Sequence, residues 1–163
     1  MWVLLESCSA KFCALLKSLL SEDHNVGMFL AGRELIADTK DTVMLFCGRL
    51  PKSVRLEKGI YLPMGRKTKR RFKGDISVIC ADNERVGTQN LHCYRCGFSL
   101  DASLTISSKT EDRLVIALQH RITSLYGRVI EPFELPVERK KGIDDAQLLC
   151  AYMTKLLLYP IEE

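Results

Sequence analysis

Ten basic side chains and a single acid, Glu57, stand between Arg49 and Lys73, and this run limits the fold more than any other feature of the chain. Charges so concentrated repel one another and are costly to desolvate together, so the core must leave them at the surface. The cations are Arg49, Lys52, Arg55, Lys58, Arg66, Lys67, Lys69, Arg70, Arg71 and Lys73. The other 138 of the 163 residues hold 14 basic and 19 acidic groups. The net charge of +4 is therefore the balance of a segment at +9 and a remainder at −5.

That remainder can fold. With 47% apolar and 27% charged residues, few prolines and no repeat, the chain suits one domain over 1–163, with a core that needs no staples. Its parts read as a helical N-terminal portion (1–40), a mostly β portion with one helix (42–135) and a C-terminal helix (144–159). Phe12, Leu15, Leu16, Leu19 and Leu20 make a helical stripe over Ser9 to Ser21, and a second helix is expected over Met28 to Asp38. Trp2 to Leu5 are expected to dock on the body.

Strands are expected at Thr42 to Cys47, at Ile76 to Ala81, at Leu91 to Phe98 and at Ala102 to Ser107. Val54 to Leu62 reads as an edge hairpin or bent strand around Lys58-Gly59, and Arg66 to Lys73 as a loop. Leu114, Leu118, Ile122 and Leu125 suggest a helix from Thr110 stopped by Gly127. A last strand follows over Arg128 to Leu135, interrupted by Pro132. Asp144 caps a final helix with Leu148, Leu149, Met153, Leu156 and Leu157 on one face. Strands followed by helices predict an α+β fold, an antiparallel sheet of about five strands packed with three to four helices.

Catalytic signatures do not emerge. His24, His92 and His120 stand apart from any nucleophile motif, and the chain has no glycine-rich phosphate loop or serine elbow. The expectation is a protein that is not an enzyme, and no small-molecule substrate is identified. Seven cysteines cannot all pair internally, and Cys13, Cys47, Cys80 and Cys150 sit in apolar stretches where a thiol behaves as a small hydrophobe. Cys93 and Cys96 form the one Cys-x-x-Cys, half a zinc site; on a strand they would face opposite ways. No cofactor is expected, zinc at this pair being the exception considered. The residues Met1 to Glu6 lack a basic leader and no apolar run reaches the length of a membrane span, which points to a reducing intracellular compartment.

The basic run itself points to a polyanion. Lysines and arginines so dense neutralise phosphates and release counterions, giving salt-dependent affinity for nucleic acid. The same charge would serve an anionic membrane, with Phe72 free to stack on a base or insert among head groups. Nuclear import is a further reading of Lys67 to Lys73.

The segment Gly59-Ile60-Tyr61-Leu62-Pro63-Met64-Gly65, followed by Arg70-Arg71-Phe72 and Lys73-Gly74-Asp75-Ile76, resembles the matrix proteins of rhabdoviruses. The N-terminus departs from that family, lacking its lysine- and proline-rich arm, and Leu158-Tyr159-Pro160-Ile161 is a degenerate form of a budding signal. The resemblance implies a small basic α+β protein of the virion and host cytoplasm. Such a protein self-associates under a membrane and condenses a nucleoprotein. The expected function is a matrix-like structural protein that binds nucleoprotein or RNA and anionic membrane through Arg49 to Lys73. The alternative is an RNA-binding silencing suppressor or movement factor with a zinc knuckle at Cys93 and Cys96.

Overall fold

The computed structural model describes residues 1–30, 43–65, 70–82, 84 and 91–160. In chain order the elements are β1 (Trp2–Leu5), α1 (Ala10–Leu20), β2 (Val26–Leu30), β3 (Val43–Cys47), β4 (Ser53–Leu62), β5 (Arg71–Ala81) and β6 (His92–Cys96). There follow β7 (Leu104–Lys109), β8 (Arg113–Leu118), β9 (Ile122–Thr123), β10 (Val129–Ile130), β11 (Phe133–Glu138) and α2 (Asp145–Leu157). Nine strands form one sheet in the order β11-β8-β7-β6-β5-β4-β1-β3-β2, and β9 and β10 form a separate two-stranded sheet. From β2 across to β7 every neighbouring pair is parallel; β8 and β11 complete the sheet antiparallel.

This architecture overturns the expected antiparallel sheet of about five strands with three to four helices. The sheet is larger and mostly parallel, and the described residues contain two α-helices. The tetrapeptide Trp2–Leu5 is the reason the sheet is so wide. It inserts between β3 and β4, with Leu5 in register with Cys47 on one side and Leu62 on the other. The strands β5, β6 and β7, expected in an antiparallel sheet, pair in parallel.

The helix expected from Thr110 to Gly127 gives way to strands. Leu114, Ile116 and Leu118 are fully or almost fully buried while Val115 and Ala117 between them are half-buried, so β8 alternates with period two. Residues spaced by four lie on one face of a helix and equally on one face of a strand. Gly127 belongs to the β9–β10 turn, where its φ is 90°. The expected helix over Met28 to Asp38 begins on β2, and residues 31–38 lie outside the described set. Pro132 precedes β11, and Pro136 sits within it on the edge of the sheet, where a missing N–H is tolerated.

The two helices match their sequence signals. The Ser9 side chain accepts from the Phe12 N–H and opens α1, and Asp144 with Gln147 forms a reciprocal capping box on α2. Both helices lie on one face of the sheet. Phe12, Leu16 and Leu20 of α1 and Leu149, Met153 and Leu157 of α2 share a core with Val3, Leu5, Leu45, Ile60, Ile79, Leu104 and Ile116. No helix among the described residues is long and apolar enough to cross a membrane.

The opposite face is covered by the sheet's own strands. Here Leu4, Leu50, Tyr61, Ile76 and Val78 form a smaller core, with Val54, Leu56 and Phe72 packed against it. Register places Phe72 beside Val54, many residues along β5 from Val78, the partner of Tyr61. Yet the rings of Phe72 and Tyr61 are 4.8 Å apart. A straight strand would separate them by about 20 Å at 3.3 Å per residue. The first halves of β4 and β5 therefore turn back over the sheet as a two-stranded flap. The hinge is a bulge between Arg55 and Lys58 opposite Gly74, whose φ of +118° and close approach to the Leu56 carbonyl exclude a Cβ. Val54 to Leu62 is thus one bent strand and not a hairpin. Lys58-Gly59 makes no turn; a Cβ on Gly59 would lie 3.0 Å from the Trp2 carbonyl oxygen, so glycine lets β1 pair there.

Candidate polyanion-binding surface

Side chains alternate along the flap. Val54, Leu56 and Phe72 turn inward and are half-buried, while Ser53, Arg55, Glu57, Arg71 and Lys73 are exposed on the outer face. Arg71 is in register with Ser53, and Lys73 with Arg55, so three guanidinium or ammonium groups share one small surface. The Arg71 N–H donates to the Lys52 carbonyl at 3.0 Å, which places exposed Lys52 at the rim. Arg49 is exposed a few residues before it. None of these five cations takes part in an ion pair among the described residues.

Two of the ten basic residues are committed elsewhere. Arg70, 15% exposed, pairs with Glu6, 2% exposed, and the Tyr61 hydroxyl donates to the same carboxylate at 2.7 Å. Hydrogen bonding to Glu6 raises the Arg70 pKa further, so this guanidinium is a fixed cation spent on a buried acid. Its role is to latch the flap to the end of β1. Lys58 donates to the Leu125 carbonyl at 2.7 Å and ties β4 to the β9–β10 hairpin. Arg66, Lys67 and Lys69 lie outside the described residues. The segment expected as a loop from Arg66 to Lys73 is strand from Arg71 onward.

Phe72 is not presented to a ligand. Its contact with Tyr61 holds the inner side of the flap, which corrects the expectation of a free stacking ring. The latch acid Glu6 has a faint sequence signal, an acid directly after four apolar residues; nothing in its spacing links it to Arg70, 64 residues away.

The cysteines gather in three places. Cys93 is exposed and Cys96 is fully buried on the other face of β6, so the Cys-x-x-Cys does not converge. Cys93 lies 3.2 Å from Cys80 through its sulfur. Its thiol is lowered to about 7, chiefly by the Cys80 hydrogen bond, against burial and with help from Arg95; Cys80 moves upward. Cys96 meets Cys150, and that contact together with burial pushes its thiol well up. Cys8 and Cys47 are joined in a disulfide, with the Cys13 sulfur 2.6 Å from Cys8. Cys47, expected as an inert core thiol, is half-buried and bonded; Cys13 is buried, and burial pushes its thiol up.

Acids elsewhere serve the backbone. Burial would raise the Asp82 carboxyl, but the Ser99 hydroxyl and the N–H groups of Ser99 and Phe98 outweigh it and leave the group below its usual range. A cavity of about 500 Å³ lies between α2 and the strands β10 and β11. Its cations are internally engaged, Arg128 over the Tyr159 ring at 4.1 Å and Lys155 with Glu22 and Asp23.

No family model matches the chain, and a search of curated proteins finds no match.

Proposed function

We propose that the chain is a non-enzymatic, matrix-like structural protein that holds the phosphate backbone of RNA or nucleoprotein on the outer face of the flap. The observation that carries this reading is the register of Arg55 with Lys73, beside Arg71, with no acid paired to them among the described residues. Like charges placed directly opposite destabilise a sheet, and a bound polyanion relieves that repulsion. Arg66, Lys67 and Lys69 belong to the connection between the same two strands and add charge to the same segment.

RNA is favoured over a bilayer as the polyanion. The described outer face carries Ser53, Arg55, Glu57, Arg71 and Lys73 and no apolar side chain to insert among lipids, and Phe72 is turned inward. The alternative of a zinc knuckle at Cys93 and Cys96 is disfavoured by their opposite orientations. Fluorescence anisotropy with single-stranded RNA and flotation with anionic liposomes, each titrated with salt, test the reading. RNA binding that weakens steeply with salt supports it; flotation without RNA binding overturns it.

A further inference from the structure

We propose that Cys8, Cys13 and Cys47, once reduced, form a binding site for a thiophilic d10 cation, of which zinc is the representative. The three sulfurs lie within 4.8 Å of one another, close enough for one ion to gather them once the disulfide is reduced. Three regular elements deliver them. Cys47 closes β3, Cys8 follows β1 through Ser7 at φ 69°, and Cys13 sits in the first turns of α1. The Gly48 N–H donates to the Leu5 carbonyl and joins the end of β3 to the end of β1, and the Cys13 N–H donates to the Ser9 carbonyl within the first turn of α1, both at 3.0 Å. Once the disulfide is reduced, the sulfurs need only move apart to the spacing of tetrahedral ligands.

The chemistry of the donor set selects the ion. Three soft sulfur ligands favour zinc or copper(I) over magnesium or calcium. The N-terminus of α1 adds a favourable field for thiolates. Cys8 and Cys47 are half-buried, so solvent can reach the site and supply a fourth ligand. A disulfide satisfies only two of the three sulfurs and leaves Cys13 against them; one ion satisfies all three.

The disulfide and the metal site are two states of the same residues. A small-molecule thiol reductant delivers two electrons and two protons to the Cys8–Cys47 bond, is itself oxidised to a disulfide, and leaves two free thiols. Zinc then displaces three protons, one from each thiol, so its affinity falls as pH falls.

The test uses full-length protein reduced with a phosphine and desalted without oxygen. It is titrated with Zn2+ against a chromogenic chelator, and with Co2+ to read the thiolate-to-cobalt charge-transfer band. One ion per chain is expected. Cys8→Ser and Cys47→Ser each should weaken zinc binding more than the roughly ten- to hundredfold loss seen on removing an outer partner of a metal site. Cys93→Ser should bind as the parent does. Reduced parent protein with no charge-transfer band, or binding that follows Cys93 and ignores Cys47, overturns the proposal. Cys13→Ser adds the buried position, and the half-buried Cys47→Ser keeps the test decisive if that variant fails to fold.

Discussion

Arg55 and Lys73 face each other directly across β4 and β5, two cations in register with no carboxylate paired to either among the described residues. Like charges set opposite each other on neighbouring strands destabilise the sheet. Arg55→Gln should therefore leave the free protein as stable or slightly more stable in low salt, with the gain fading as salt screens it. Thermal unfolding at two ionic strengths measures this. A clear loss of stability would mean that the pair is internally compensated.

The latch predicts the opposite response. Glu6→Gln removes one partner of a buried ion pair and leaves the Arg70 guanidinium 15% exposed and unbalanced. A cost of about 3–5 kcal/mol follows. Tyr61→Phe deletes the hydroxyl that bonds Glu6 and leaves the ion pair, and should cost about 1 kcal/mol. Urea denaturation of the two variants gives the comparison; equal, small losses would show that Glu6 does not hold the flap.

Gly74 is the hinge opposite the β4 bulge. A Cβ there meets the Leu56 carbonyl, and a φ of +118° strains any L side chain. Gly74→Ala should destabilise by about 1–3 kcal/mol or more, and expose Tyr61 and Phe72. Near-ultraviolet circular dichroism and denaturation report both effects.

Asp82 ties pH to stability. Its folded pKa lies below the unfolded value near 4, so its contribution is fully present above that value and disappears as pH falls through the folded pKa. Asp82→Ala should lower stability at neutral pH and flatten the acid limb of the stability profile. An acid limb unchanged in the variant would contradict this assignment.

Cys93 should be the reactive free thiol. With its pKa lowered to about 7, the thiolate fraction grows as pH rises through neutrality, and alkylation by iodoacetamide should follow that curve. Cys150 and Cys96 are buried and should react slowly. Peptide mass mapping after brief alkylation at several pH values distinguishes them.

Local signals were legible where one residue acts on its neighbours. The Ser9 and Asp144 caps and the stripes behind them mark α1 and α2 directly. Parallel pairing was not legible, because the position of Trp2–Leu5 between β3 and β4 depends on partners some 40 and 57 residues away. In β8 the spacing of Leu114 and Leu118 satisfies a helix and a strand alike, and only the burial of Ile116 between them decides. For the candidate surface, charge density marked the segment. Which cations remain exposed depended on Glu6 and on the fold-back over Tyr61, neither of which local spacing encodes.

The most direct measurement of the central claim compares RNA affinity against salt for the parent chain and for a variant with Arg55, Arg71 and Lys73 changed to Gln. Each phosphate contact adds about 0.7–0.9 to the slope of log affinity against log salt. The variant should lose about 2–3 of that slope while keeping its fold by circular dichroism. An unchanged slope and affinity would place the polyanion contact elsewhere and contradict the account.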